Sequence, residues 1–328
     1  MISTMNAANA ILNYRLLRCV GWVLGCCGLM LAAVSGAEPK IGVLLKGDSD
    51  FWSAVATGCT DAARKAGAEV IIRKPRTESD IAGQIKLLGE LAGDGIQALI
   101  IAPCSSTELS APVAAVAAKG IQIVVIDSPL DVDMPAYIAI NHTDAGEAAG
   151  RLLASLVGPG DEVGILRHSP TGGATLLRES SAYSALYAAH HGIVVHRNIF
   201  GGTVPGEEAK QARLLLTRYP RIKAVLASST PVTMGVLQVL RETGRAGTVK
   251  FVGFGFNLSS AVAEAIDQGA LNGWIAQLPT DIGTKGVNSA LALLNHRPVS
   301  EVVYCDFLVI TKDNLHTPQV QALLPPPG

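Results

Sequence analysis

The stretch GIQALIIAPCSSTELSAPVAAVAAKGIQIVVIDSP, residues 95–129, decides the fold. Two runs within it, QALIIAP and IQIVVID, are apolar almost throughout. A strand with one wet face alternates apolar and polar residues, so unbroken apolar runs mean cover on both faces, as in a parallel sheet. Between the runs a segment at 106–119 carries helical spacing, and Gly120 follows where a glycine commonly ends a helix. Strand, helix, strand is a right-handed βαβ unit of an open, doubly wound sheet.

The same alternation extends in both directions. KIGVLL, EVIIR and AYIAIN are further strands of this series, with helices near 51–66 and 79–93 closed by Gly67 and Gly95. A helix of small residues at 143–157 follows, and then the pattern restarts. EVGILRH, GIVVHRN, IKAVLASS and VKFVGFGF are strands, separated by helices near 174–190, 207–218 and 232–243. ALNGWIAQ and YCDFLVIT are late strands flanking a helix at 280–295. One sheet of about eleven strands would be very wide, so two similar lobes of five or six strands each are expected. Without a long linker between them, the chain is expected to cross between lobes more than once.

Composition narrows the function. Of 328 residues, 49% are hydrophobic and 16% charged, which leaves no signature of disorder. The formal net charge is -1 and no basic stripe exists, which argues against nucleic-acid binding. Arg15 and Arg18 precede an uncharged apolar run from Cys19 to Gly36 that ends in small residues, Ser35 and Ala37. This reads as a secretory signal, 1–37, cleaved after Ala37. An uncleaved membrane anchor is the alternative, and VLGCC faintly resembles a lipoprotein box at Cys26 that sits too early in the run. The mature chain keeps Cys59, Cys104 and Cys305, an odd number, so at least one thiol is free. No Cys or His spacing suggests a metal.

In open α/β sheets, ligands bind beyond the carboxyl ends of the strands. Those ends carry Lys46, Asp48, Ser49, Phe51 and Trp52; then PCSST; then Asp127 and Ser128; then His168 and Ser169; then SSTP at 228–231, GFN at 255–257 and Gln277. Hydroxyls, amides, a few charges and aromatic rings at one edge suit a neutral polyol or sugar. No GxSxG elbow, phosphate-binding glycine loop or HExxH is present. Nothing in the residues argues for an enzyme, and neither a cofactor nor a metal is expected.

These residues resemble the periplasmic sugar-binding proteins of ABC importers, of the ribose-binding type, from about Ile41 to Ile310. IAQLPTDIGTKGV at 275–287 is the most specific piece. DFWSAVATGCTDAARKAG, GIQALIIAPCSS, IVVIDSP and VGF at 252–254 carry the rest. The resemblance implies a type I periplasmic binding protein fold: two Rossmann-like doubly wound lobes joined by three hinge crossings, near Asn141, Gln277 and Tyr304. The first lobe would comprise 38–141 plus 278–304, the second 142–277 plus 305–328. It implies a monomer exported to the periplasm that traps a small carbohydrate-like ligand and delivers it to an ABC permease. A membrane sensor kinase or chemoreceptor is the alternative partner. The implied ligand-binding set is Lys46, Ser49, Phe51, Trp52, Asp127, Ser128, Arg178, Ser229, Asn257 and Gln277, with Phe51, Trp52 or both stacking on the ligand and Arg178 standing near, not at, the position of the family's pocket arginine.

The chain departs from the sugar binders at several points. Ser128 and Pro129 follow Asp127 where arginine is usual, Gly255 stands where an aspartate follows VGF, and Ser228, Ser229 and Thr230 replace an amide-rich triplet. Fewer charged groups are left to grip hydroxyls, which argues against ribose itself. Lys46 with DSP at 127–129 is similar to the autoinducer-2 receptor, and DSDFW, SST and FNLSS to a periplasmic sensor of trimethylamine N-oxide.

Overall fold

A computed structural model describes residues 38–324 apart from 191, 203 and 205. The expected signal segment, 1–37, lies outside the described residues. Among the described residues, no helix is long and apolar enough to cross a membrane.

The first strands are β1 (Lys40–Leu44), β2 (Glu69–Arg73), β3 (Ala98–Ile101), β4 (Gln122–Ile126) and β5 (Tyr137–Ile140). Then follow β6 (Glu162–Arg167), β7 (Val194–Phe200), β8 (Ile222–Ala227), β9 (Lys250–Phe256) and β10 (Gly273–Gln277). β11 (Val302–Cys305) and β12 (Phe307–Ile310) complete two six-stranded sheets, ordered β11-β5-β4-β3-β1-β2 and β12-β10-β9-β8-β6-β7. All pairings are parallel except that of β12 with β10.

The helices are α1 (Asp50–Ala66), α2 (Ile81–Gly93), α3 (Ser110–Ala117), α4 (His142–Ala154), α5 (Gly173–Ala189), α6 (Glu208–Arg218), α7 (Thr230–Glu242), α8 (Ser260–Asp267), α9 (Pro279–Leu294) and α10 (Pro318–Gln321). Local chemistry sets their ends. Ser49 caps α1 by accepting the Trp52 N–H, and Gly67 closes it in the left-handed conformation. The expected helix at 106–119 is shorter, because hydroxyls bond its first residues into turns: Ser105 Oγ accepts the Glu108 N–H, and the Ser110 hydroxyl donates to the Ser106 carbonyl.

Both faces of each sheet are covered, as the unbroken apolar strands require. Ile41, Val43, Ile100 and Val124 pack with Val55 of α1 and Ile282 and Val287 of α9. Leu44, Leu99 and Val125 face the other way, toward Leu88 of α2 and Val113 of α3. In the second sheet Val163, Leu226 and Ile275 belong to the same core as Ala145 and Ala149 of α4, while Val225, Phe251 and Ala276 pack with Leu215 of α6 and Val236 of α7. α1 and α9 approach so closely that a Cβ on Gly58 would lie 2.2 Å from the Thr280 carbonyl oxygen, so only glycine fits there.

The chain changes sheet three times: after β5 at Asn141, after β10 at Leu278, and between β11 and β12 at Asp306. YCDFLVIT, read above as one strand, is therefore two. Cys305 pairs with Ile140 in the first sheet, whereas Phe307 pairs with Gln277 in the second. The change falls two residues past Tyr304, since one backbone residue, Asp306, is all the crossing needs. Cys59, Cys104 and Cys305 are free and buried, and burial pushes each thiol up to about 12.

Candidate ligand-binding site

The carboxyl ends of the two sheets face each other across a cavity of about 390 Å³. On the first lobe its floor is built from β4. Asp127, just past the strand, takes a left-handed backbone with φ 60. Aspartate tolerates that region better than most residues. The turn is tied down from both sides: Ser128 N–H donates to the Ile126 carbonyl, and the Asp127 carbonyl accepts from the Tyr137 hydroxyl and His142 Nε2, each at 2.7 Å.

Lys46, just past β1, lies 2.9 Å from Asp127 Oδ2 and also donates to Ser128 Oγ. Burial alone would raise the Asp127 carboxyl, but the Lys46 and Arg178 charges outweigh it and hold the group down at about 2. Burial likewise works against the Lys46 ammonium, and Asp127 with Glu78 reverses the effect and raises it. Both groups are therefore ionised at neutral pH.

Trp52 is buried on the cavity wall and donates its Nε1–H to Glu78 Oε1 at 2.9 Å. Phe51 meets Trp52 edge to face at 4.9 Å between centroids, and meets Phe256 of the second lobe in the same way at 5.7 Å. Three rings thus line one side of the cavity.

The second lobe answers with Arg178, carried into the cavity by α5. Its Nη2–H donates to Gln277 Oε1 at 2.7 Å, its Nη1–H to the Ser228 carbonyl at 3.3 Å, and its Nε–H to His142 Nδ1 at 3.1 Å. Nη2 also stands 3.9 Å from Asp127 Oδ1. His168, past β6, bonds Ser229 through Nδ1 at 2.9 Å and Glu78 Oε2 through Nε2 at 3.2 Å. Burial would raise the Glu78 carboxyl, but the His168 hydrogen bond and charge, the Lys46 charge and the Trp52 hydrogen bond hold it at about 2.

Of the residues picked from the sequence, Lys46, Ser49, Phe51, Trp52, Asp127, Arg178, Ser229 and Gln277 border this cavity. Ser128 does not. It is fully buried behind the wall, where its hydroxyl oxygen accepts from Lys46 and from the Ala174 N–H at the start of α5. Asn257 does not either: it is exposed, turned away at φ 48, and its carbonyl accepts the Trp274 indole N–H at 2.8 Å, so Phe256 takes the inward position. Glu78, absent from the residues expected above, comes from the loop after β2, and His168, expected only as a strand end, borders the cavity as well. The missing aspartate at Gly255 also has a reason. A Cβ there would lie 2.0 Å from the Trp274 ring, which fills the space. Among the described residues, no group of three or more His, Cys, Asp or Glu is placed to hold a metal.

Residues 41–298 match the profile of the periplasmic binding protein domain. The chain belongs to that family. The D-allose-binding periplasmic protein of Escherichia coli (strain K12) is 28% identical to this binding protein over 274 residues, covering 79% of this chain and 86% of the relative. A crystal structure of an ABC-type sugar transport system periplasmic component from Hahella chejuensis is 27% identical with a TM-score of 0.79, covering 83% of this chain and 100% of that one. A carbohydrate transporter solute binding protein from Agrobacterium Radiobacter, in complex with D-arabinose, is 27% identical with a TM-score of 0.81, covering 88% and 99%. These neighbours share the two-sheet architecture of the type I periplasmic binding proteins, and they are binding proteins of transport systems.

Proposed function

We propose that this periplasmic binding protein encloses one small neutral polyhydroxy molecule, a sugar or sugar alcohol, between its lobes and hands it to an ABC importer. The observation that carries this reading is the pairing of the buried charges around the cavity. Lys46 is matched by Asp127, Arg178 stands against Asp127 and Gln277, and the half-buried Glu78 is hydrogen-bonded to His168 and Trp52. Among the buried groups a ligand with net charge would find no free counter-charge, at a desolvation cost of several kcal/mol; Asp50, Arg76 and Glu208, which also border the cavity, are exposed or half-buried. A polyol needs none: it can donate to the carboxylate and accept from ammonium and guanidinium at once. The three rings supply the apolar surface on which a sugar face stacks.

In this reading the lobes are 38–141 plus 278–305 and 142–277 plus 307–324, and 1–37 is an export signal removed after Ala37. The names borne by the relatives speak for transport and do not favour a sensor kinase as partner. A thermal-shift screen of pentoses, hexoses and pentitols, with trimethylamine N-oxide as the sensory comparison, tests the reading. A ligand at 100 times its Kd adds about 2.7 kcal/mol of stability. Stabilisation by sugars supports importer service, and stabilisation by the amine oxide alone overturns it.

A further inference from the structure

We infer that His142 is a positioning residue for ligand binding, a neutral imidazole that holds Arg178 of the second lobe and the Asp127 turn of the first in one rigid frame. The inference rests on the proposed function only for its consequence on affinity; its geometric half stands alone.

His142 is the first residue of α4, next to Asn141 where the chain first changes sheet, and it is buried. One ring nitrogen, Nδ1, faces the Nε–H of Arg178 at 3.1 Å. The other, Nε2, faces the carbonyl oxygen of Asp127 at 2.7 Å. A guanidinium can only donate and a carbonyl can only accept. Together the two partners leave a single consistent state: Nδ1 bare, Nε2 protonated, ring neutral. Protonating Nδ1 would set N–H against N–H and a second cation beside Arg178. Burial and then the Arg178 charge press the ring the same way, down to about 3, although the nearby Asp127 carboxylate opposes them.

Each arm controls a ligand-facing group. Arg178 is pinned at three nitrogens, and its Nε has His142 as its acceptor. The Asp127 turn is left-handed, and His142 supplies one of the two donors that hold its carbonyl. The charged and titratable groups facing the ring are Arg178 from α5, Asp127 and Tyr137 from the first sheet, and Lys46 beyond Asp127. His142 touches the groups that would hold a ligand and does not border the cavity itself.

Two substitutions separate the arms. In His142→Asn the side-chain oxygen can replace Nδ1 as acceptor for Arg178; in His142→Gln the amide N–H can replace Nε2 as donor to the Asp127 carbonyl. Nitrogen-15 NMR on the ligand-free protein should show a His142 ring held in the Nε2–H tautomer from pH 7 to pH 5, and an Arg178 Nε–H signal protected from exchange. That signal should survive in His142→Asn and vanish in His142→Gln. Calorimetry with D-allose and D-arabinose should then show at least a tenfold loss of affinity for His142→Gln and a smaller loss for His142→Asn, with melting temperatures reported for both. A ring that titrates near the ordinary histidine value, or an Arg178 signal indifferent to His142→Gln, overturns the inference. So does unchanged affinity in a folded His142→Gln protein. If the wild type binds neither sugar nor any other neutral polyol, the proposed function fails, while the NMR result still decides the role of His142.

Discussion

Glu78 and His168 meet across the cleft, Oε2 to Nε2 at 3.2 Å, although one belongs to the first lobe and the other to the second. The same carboxylate holds the Trp52 indole through its other oxygen. The lobes therefore bond directly to each other beside the ligand space, and the bond fixes an aromatic ring of the wall.

Removing the contact should let a bound ligand escape faster. A hydrogen bond to a charged group contributes about 1.5–3 kcal/mol net, so His168→Leu should raise the off-rate roughly tenfold with little change in the on-rate. Stopped-flow fluorescence of Trp52 reads both rates. An unchanged off-rate would show that the contact forms without helping closure.

Asp127→Asn should weaken sugar binding roughly tenfold or more, through the lost charge. It should also lower the melting temperature, because Lys46 is left buried without its carboxylate. Trp52→Ala should weaken binding of every ligand with an apolar face, through lost stacking. Asp127→Asn should discriminate among ligands by their vicinal hydroxyls instead. Calorimetry on both variants separates the two patterns, and a common pattern would count against the assignment.

Acid should destabilise the protein in two stages. His142 has its pKa lowered to about 3 by folding, so the unfolded chain binds the extra proton first and stability falls as pH drops below the ordinary histidine range. Asp127 and Glu78 are held at about 2, so their stabilisation is complete above the ordinary carboxylate range and is lost as pH falls toward 2. Melting temperature should decline from pH 6.5 downward and more steeply below about pH 4. His142→Asn should flatten the upper stage. A melting temperature that rises between pH 7 and pH 5 would contradict the sign.

Gly255→Asp restores the residue that sugar binders usually carry, yet it should not restore their contact. The Trp274 ring occupies the space a Cβ needs, and overpacking of this kind costs about 1–3 kcal/mol. A lower melting temperature and weaker binding are expected by calorimetry and thermal melts. Tighter pentose binding at an unchanged melting temperature would refute the explanation.

The fold was legible because strands buried on both faces cannot hide: β3 is apolar residue by residue and β4 in every residue after Gln122, and strand after helix after strand leaves few topologies. The split of β11 from β12 was not legible, since a lone Asp306 between Cys305 and Phe307, with no glycine or proline beside it, is a weak turn signal, and the break is set by which sheet each half pairs with. Asp127 and Gln277 could be found as strand-end and family positions, whereas Arg178, inside a helix, could be found only as a neighbour of the position where the family carries a pocket arginine. Glu78 lies five residues past EVIIR, within reach of the same strand-end rule that marks Asp127 and Gln277. The exchange of Phe256 for Asn257 on the wall could not, because it turns on a left-handed backbone and an indole hydrogen bond from Trp274.

Calorimetric titration of matched neutral and charged sugars tests whether a neutral polyhydroxy ligand fills the cavity between the lobes. Each neutral sugar is paired with its uronic acid and its amino derivative. At least one neutral member should bind one-to-one with Kd near or below about 1 μM, roughly -8 kcal/mol, and both of its charged partners much more weakly. Tighter binding of a charged partner, or no heat from any neutral sugar on folded protein, would contradict it.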